Sequence, residues 1–395
     1  MREFIYYHRN ELKPKGGPSG YLYNLNKGLL ECNVCGIDFL PDRKITIKNK
    51  IRAKIINYPK VYKIIHNLTH GIYGDNILNM IFHSKKYDAV VDLNDYDVVH
   101  FHNTLDMYMC KDSLNFYKGK VLLTSHSPKV FHKELLDDFA DSTKNRRISE
   151  IEAIDVIDKY AFERADYIIF PVPEATECYF NTWDKFESIY NKNKQKFYYL
   201  PTGTTPKKYS LNKSEFREKY GIPQDAFVVS YIGRHNEVKG YDTVKKVAQL
   251  VLEKYDDIYF VIGGQQGPLY QLNNKKWIEI GWTNDPGSII NGSDIFMLPN
   301  KETYFDLVML EVLSIGTPVV TSYTGGNKYF ERFGSKGITL YKSNEELIEA
   351  ILKFKNSTED LEILRNENRK LYNDYFSNEK FARGYLQLVN ELYDK

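Results

Sequence analysis

The chain has 395 residues, more than a single hydrophobic core supports, so two domains are expected, and the 42% of apolar residues is enough to pack both. Its 54 basic and 52 acidic residues nearly cancel, to a net charge of +2, which removes any global electrostatic reason to expect nucleic acid as a partner. No stretch reaches the length of a membrane span, and the opening Met1-Arg-Glu-Phe-Ile-Tyr-Tyr-His8 lacks the apolar centre of a signal peptide, so a soluble cytoplasmic protein is expected.

Short apolar runs alternate with helical patterns from end to end, which implies parallel sheets with crossover helices. The first strand is expected at 4–7. It leads into Lys15-Gly16-Gly17-Pro18-Ser19-Gly20-Tyr21 and a helix over 21–30. Glycines in such a turn let backbone approach a ligand and leave amides free, though an ordinary tight turn uses them equally. Cys32-x-x-Cys35 looks like half a zinc site, but no second pair completes four ligands, so two small buried thiols are expected. With Cys110 and Cys178 there are 4 cysteines, a low count that suits a reducing compartment. The 32 tyrosines carry no weight, because Lys, Asn and Ile are equally plentiful.

From Arg43 to Gly74 there are eight basic residues and no acid. Ile51, Ile55, Tyr58, Tyr62 and Ile65 recur at steps of three and four, and Pro59 is expected to kink or divide that helix. The element either packs on the first domain with a solvated cationic face or rests on anionic lipid; both readings stay open. Asp95-Tyr96-Asp97 has the D-x-D form of a metal-diphosphate site, but Asp97 opens a strand at 98–102 and reads as solvated strand-entry charge. His100 and His102 alternate on that strand and share a face, while His126 ends the next strand, at 121–125. Three histidines without a carboxylate favour hydrogen bonding to a substrate over zinc. A helix over 148–164 and a strand at 167–171 complete the first half.

The stretch 200–210, Leu-Pro-Thr-Gly-Thr-Thr-Pro-Lys-Lys-Tyr-Ser, reads as a linker. Beyond it, strands are expected at 227–232, 259–262, 295–298 and 318–321. A helix over 241–254 carries Val244, Val247, Ala248 and Val251 on one face. The last helix, after Ser377, has Phe381, Tyr385, Leu388 and Leu392 at helical spacing.

Two segments carry the chemistry. In Gly233-Arg234-His-Asn-Glu-Val-Lys239-Gly240 a strand ends and a helix begins, so two cations and helix-terminal amides converge on one turn, which suits a diphosphate. The second segment is Leu298-Pro-Asn-Lys-Glu302-Thr303-Tyr304-Phe305-Asp306-Leu307-Val-Met-Leu-Glu311. It places Glu311 within an apolar helix, where the carboxylate needs donors: the two hydroxyls of a ribose, or a cation of the protein.

In this order the motifs resemble those of the group-1 (family 4) retaining glycosyltransferases, over nearly the whole chain. The resemblance rests on Gly16-Gly17, Asp97-Val-Val-His-Phe-His102, Thr124-Ser-His126, Pro201-Thr-Gly203, Gly233-Arg234 with Lys239-Gly240, Gly263-Gly264, and Asp294 through Pro299 with Leu310-Glu311 and Gly316-Thr-Pro-Val. It implies the GT-B fold: two Rossmann-like doubly wound α/β domains facing across a cleft. The acceptor-side domain would span 1–203, the nucleotide-sugar-binding domain 204–377, and a terminal helix over 378–395 would return to the first.

The resemblance also implies roles. Arg234 and Lys239 would hold the donor diphosphate, Glu311 the ribose, and His126 a group near the reacting carbon, with Gly16 and Gly17 closing over the phosphate. His126, Arg234 and Lys239 are therefore the expected catalytic residues. The donor site adds Gly264, Glu302, Thr303, Tyr304, Phe305, Asp306 and Leu307. Three positions depart from the family pattern: Thr303 where a second glutamate stands, Asp306 where a glycine stands, and Thr202 within the hinge.

The expected reaction moves a hexosyl-type sugar, with retention, from a nucleoside diphosphate (UDP favoured) to a glycan, lipid-linked or protein acceptor. It is expected to use no metal or other cofactor, the sugar nucleotide being a substrate, and to serve cell-surface polysaccharide or glycoconjugate synthesis. Partners are the donor, the acceptor and an anionic membrane surface met through 43–74, which would place the protein peripherally at the inner face; nucleic acid is not expected. The alternatives are a sugar-nucleotide epimerase of the same architecture and a catalytically silent sugar-nucleotide-binding subunit of a transferase complex.

Overall fold

The computed structural model describes residues 1–8, 12–14, 17–41, 59–126, 128–357 and 361–395, with only the backbone described for 59–68. The strands form two sheets of six, and every pairing within them is parallel.

The first unit comprises Met1–Phe170, Glu177–Leu200 and Gly384–Lys395. Its strands are β1 (Glu3–Tyr6), β2 (Ile37–Phe39), β3 (Val98–Phe101), β4 (Lys120–Leu123), β5 (Tyr167–Phe170) and β6 (Phe197–Tyr199), in the spatial order β2-β1-β3-β4-β5-β6. Chain order reverses between β1 and β3, and at such a switch point the loops leaving the carboxyl ends of the strands make room for a ligand. The expected helix over 148–164 is instead two, Ile148–Ala153 and Val156–Arg164. Asp155 opens the second, its carboxylate turned to Trp183 Nε1 (3.3 Å) and Lys185 Nζ (2.5 Å).

The helix Pro59–His83 has proline in its first described turn, where the missing N–H costs nothing. Most of the basic run, including Ile51, Ile55, Tyr58, Lys48, Arg52 and Lys54, and the side chains of Tyr62 and Ile65, lies outside the described residues. No described helix is long and apolar enough to cross a membrane.

The second unit comprises Pro171–Thr176 and Pro201–Arg383. Its strands are β7 (Phe227–Ile232), β8 (Ile258–Gly263), β9 (Trp277–Gly281), β10 (Ile295–Leu298), β11 (Val319–Ser322) and β12 (Ile338–Tyr341), ordered β12-β11-β10-β7-β8-β9. This is the dinucleotide-fold order, with its switch point between β7 and β10. Alternate residues of β7 feed opposite layers, as a strand of period two must. Phe227, Val229 and Tyr231 pack with Val244, Val247 and Val251 of the helix Tyr241–Leu252, while Val228 faces Phe216 and Ile289.

The stretch 200–210 is pinned rather than free. The Thr204 carbonyl accepts from Tyr372 Oη (2.5 Å), and Lys207 N donates to Ser314 Oγ (2.9 Å). A Cβ at Gly203 would lie 2.4 Å from the Ser377 carbonyl oxygen and 2.6 Å from Phe381 Cβ. That close approach explains why the first residues of the helix Asn378–Tyr393 count with the second unit and only Gly384–Lys395 with the first. On this helix Phe381, Tyr385 and Leu392 are buried as expected, but Val389 is buried where Leu388 is only half-buried.

Candidate active site

In the second unit, β7 ends at Ile232 and the chain leaves its carboxyl edge through Gly233 and Arg234. Gly233 N donates to the Gly263 carbonyl (3.1 Å), and Gly264 N to that of Gly281 (2.7 Å). Gly264 has φ of +125°, and a Cβ there would sit 1.9 Å from the Gly233 carbonyl oxygen, so only glycine fits. Gly240 caps the helix Tyr241–Leu252 in the left-handed conformation (φ +69°), and its Cβ would meet the Pro299 carbonyl oxygen at 1.8 Å. The loops following β7 and β10 therefore touch at the switch point. Lys301 N, donating to the Val238 carbonyl (3.0 Å), fastens them.

Arg234 is exposed, and its guanidinium has no hydrogen bond or ion pair among the described residues. Lys239 differs. Its ammonium lies 2.7 Å from Asp306 Oδ2, which also accepts from Asn300 Nδ2 (2.6 Å), while Asp306 Oδ1 takes Val308 N (3.4 Å) and so caps the helix Leu307–Ile315. Burial opposes the charge on Asp306. The Lys239 charge and these hydrogen bonds outweigh it, and the carboxyl stays below the usual carboxylate range. Both cations of the expected turn thus stand at the carboxyl edge of β7, Arg234 without a partner among the described residues and Lys239 paired with Asp306.

For Glu311 the structure supplies the second of the two expected donors, a cation of the protein. Glu311 is not fully enclosed: its side chain is 24% exposed and pairs with Lys207 Nζ at 2.9 Å. One oxygen of Glu302 is enclosed without a hydrogen-bond donor among the described residues. Thr303, Tyr304 and Phe305 are buried, and Phe305 stacks on Phe330 (5.8 Å between centroids, 14° between planes). These aromatic side chains serve the core, so what they offer a ligand is backbone. Leu307 is half-buried in the first turn of the capped helix.

Directly after Arg234, His235 is completely buried and stacks on Tyr241 at 3.9 Å and 6°. Neither ring nitrogen has a hydrogen-bond partner of ordinary geometry among the described residues, and Nε2 lies 3.6 Å from Glu279 Oε1. Burial pushes the imidazole down to about 4, and an interaction with the Gly263 backbone pulls the other way.

In the first unit, Gly16 lies outside the described residues. Gly17, at φ +79°, is the amino-terminal cap of the helix Pro18–Glu31. His126 is half-buried. Its Nε2 lies 2.8 Å from His102 Nδ1, and Tyr21 packs edge-on at 4.5 Å. Burial, reinforced by the neighbouring His100, pushes His126 down to about 3, so it is neutral at physiological pH and can offer one donor and one acceptor.

His100, fully buried, bonds Tyr385 Oη (2.7 Å) and Thr124 Oγ1 (2.8 Å), and Tyr385 in turn donates to the buried Glu3. Sequence periodicity placed Tyr385 on the buried face but not in this polar chain. It also missed His8, whose Nδ1 lies 2.7 Å from Asp106 Oδ1, at the carboxyl side of β1. The available signal was a histidine two residues past a strand and an aspartate just after another.

Asp97 anchors the chain start, its Oδ2 accepting from Arg2 N at 2.6 Å. Cys35 is exposed and Cys32 half-buried, both as free thiols, so the buried pair expected from sequence is corrected; Cys110 and Cys178 are the buried ones. Among the described residues no three His, Cys, Asp or Glu side chains are gathered as metal ligands would be.

Residues 212–371 match the family described as glycosyl transferases group 1. An uncharacterized glycosyltransferase of Methanocaldococcus jannaschii is 23% identical over 84% of this chain and 83% of its own length. A shorter match, 28% identical over 32% of this chain and 37% of that protein, is to the UDP-Gal:α-D-GlcNAc-diphosphoundecaprenol α-1,3-galactosyltransferase of Escherichia coli. Among solved structures, sucrose-phosphate synthase from Thermosynechococcus elongatus aligns over 99% of this chain and 98% of its own, with TM-score 0.63 and 16% identity. Anabaena HepE in complex with UDP aligns over 99% and 100%, with TM-score 0.62 and 12% identity. The likeness to the group 1 glycosyltransferases lies in the 212–371 segment, and by its two parallel six-stranded sheets the chain has the GT-B fold.

Proposed function

We propose that the protein transfers a hexosyl-type sugar from a nucleoside diphosphate, UDP by preference, to a glycan, lipid-linked or protein acceptor with retention of configuration, in cell-surface polysaccharide or glycoconjugate synthesis. The observation that carries this is Arg234, an exposed guanidinium without an internal partner among the described residues, at the switch point of a dinucleotide-fold sheet beside glycine strand ends. In the proposed step the bond between the anomeric carbon and the diphosphate oxygen breaks, and its electron pair leaves with the phosphate. The acceptor oxygen bonds the same face of that carbon, and its proton passes to the departing phosphate. Arg234 meets the growing charge as a preorganised donor, and His126, neutral, offers hydrogen bonds near the reacting carbon. The charge is carried by protein cations and needs no metal.

The test is acceptor-dependent release of nucleoside diphosphate from a panel of sugar nucleotides. Arg234→Ala should lower turnover by about 10²-fold or more, and full activity in that variant would remove Arg234 from the mechanism. Complete loss with EDTA, restored by manganese, would overturn the metal-free step.

A second reading, a silent sugar-nucleotide-binding subunit, draws on the internal pairing of Lys239 with Asp306 and of Lys207 with Glu311. It predicts nucleotide binding without any new glycoside. Membrane contact through 43–74 is proposed from sequence. Reversing the charges of Lys48, Arg52 and Lys54 should release the protein from anionic vesicles, and unchanged binding would remove that partner.

A further inference from the structure

Asp306 is placed as no simple helix cap needs to be. An aspartate that only capped Leu307–Ile315 would turn its oxygens to the first-turn amides. Here one oxygen reaches Val308 N, while the other is enclosed between Lys239 Nζ at 2.7 Å and Asn300 Nδ2 at 2.6 Å. The side chain is 13% exposed, against 37% for Lys239. Arg234, Lys239 and Asp306 together carry a net charge of about +1, where the two cations without Asp306 would give about +2.

A diphosphate seated beside Lys239 would meet a carboxylate already held 2.7 Å from that ammonium, so every further negative charge on the ligand costs more. A sugar nucleotide carries about two negative charges on its diphosphate. The released nucleoside diphosphate carries nearly three at neutral pH, because a terminal phosphate loses its second proton near pH 6.

We propose that Asp306 is a specificity-determining residue of the donor site, a built-in counter-charge to Lys239 that penalises the released nucleoside diphosphate more than the sugar nucleotide and so hastens product release. This rests on the donor-site reading above. The carboxylate gives up some stabilisation of the leaving group in return, leaving Arg234 as the principal cation for the departing phosphate.

The test is calorimetric titration of the wild type and Asp306→Asn with UDP, ADP and GDP and with the glucose conjugate of each. Asparagine keeps the capping oxygen and the shape of the residue while removing the charge, and a single cooperative thermal transition well above the assay temperature verifies the fold. The expected result is that Asp306→Asn binds the best nucleoside diphosphate about tenfold or more tightly than the wild type, and gains clearly less for its glucose conjugate. Equal gains for both ligands, or no gain for the diphosphate, overturn the proposal. Arg234→Ala introduced into each background separates the two levels of the argument, since it should weaken every ligand in both. If the wild type binds nucleotide and Asp306→Asn gains nothing, only this inference falls. If neither protein binds any of the six nucleotides, the donor-site reading falls, and this inference with it.

Discussion

His235 should make the second unit acid-sensitive in a way that can be isolated. The ring is completely buried against Tyr241, with its pKa pushed down to about 4 by burial. In the unfolded chain the same imidazole protonates near 6.5. Between those values the unfolded state binds the extra proton, so stability falls as pH falls. The neutral-imidazole contribution is fully present above about 6.5 and is lost progressively down to about 4. At about 1.4 kcal/mol per pH unit, going from pH 7 to pH 5 removes ~2 kcal/mol through this residue. Burial raises the Glu279 carboxyl, a shift that acts in the opposite direction as pH falls and is carried by the wild type and the variant alike.

The assay is urea unfolding at pH 7 and pH 5 for the wild type and His235→Asn, read through Trp277, which is 5% exposed and lies 6.1 Å from the Tyr241 ring. The variant loses packing at both pH values, so the informative quantity is its loss between them. That loss should be ~2 kcal/mol smaller than in the wild type, every other titrating group cancelling in the difference. Equal losses in both proteins would refute the account of a buried neutral imidazole.

Gly264→Ala should destabilise the second unit by about 3 kcal/mol or more, because the backbone is at positive φ and the added carbon meets a carbonyl that cannot move aside; thermal unfolding checks this, and a wild-type midpoint would count against the glycine packing. Tyr385→Phe should cost about 1–3 kcal/mol in denaturant unfolding by taking a hydrogen bond from both the buried Glu3 and His100. Asp294→Asn weakens the only ion-pair partner described for Arg217, which is 2% exposed, and loss of a buried charge partner costs about 3–5 kcal/mol in the same measurement. If Glu311 grips a ribose, the wild type should bind UDP at least tenfold more tightly than 2′-deoxy-UDP, and Glu311→Gln should shrink that ratio; a ratio near one in the wild type assigns Glu311 to Lys207 alone.

How far the fold was legible in sequence follows from where each strand lies in its sheet. The eight strands expected from apolar runs correspond to β1, β3, β4, β5, β7, β8, β10 and β11, all interior and flanked on both sides. The four that were missed, β2, β6, β9 and β12, are the four sheet edges. A strand between two neighbours and under two layers of helix is apolar except where a polar side chain is bonded internally, as Glu3 and His100 are, so β10 reads Ile-Phe-Met-Leu with every residue buried. An edge strand keeps one margin in water: β2 is Ile-Asp-Phe with no residue fully buried, and β9 buries only Trp277 of five. Such segments carry no continuous run, and their pairing partners are set by the rest of the sheet. The break in the 148–164 helix was equally hidden, since no proline or glycine marks it.

The site was legible in part, for a related reason. Arg234 and Lys239 bracket a strand-to-helix turn, and local sequence alone brings such residues to the carboxyl edge of a parallel sheet. Their electrostatic state is a different matter, because it depends on partners 67 residues away for Lys239 and 104 residues away for Glu311. Lys207 sits in a stretch whose composition marks a linker, yet Thr204 and Lys207 are bonded to Tyr372 and Ser314, and that anchoring carries the lysine to Glu311. The two pairs are not equivalent. Lys207 and Glu311 are each about a quarter exposed, where an ion pair contributes little and a hydroxyl-bearing ligand can compete for the carboxylate. Asp306 is nearly enclosed and triply bonded, so a ligand does not displace it at small cost. If the donor diphosphate sits beside Lys239, as proposed, Asp306 therefore constrains it more than the Lys207–Glu311 pair does, although sequence alone presents Glu311 as the more buried charge.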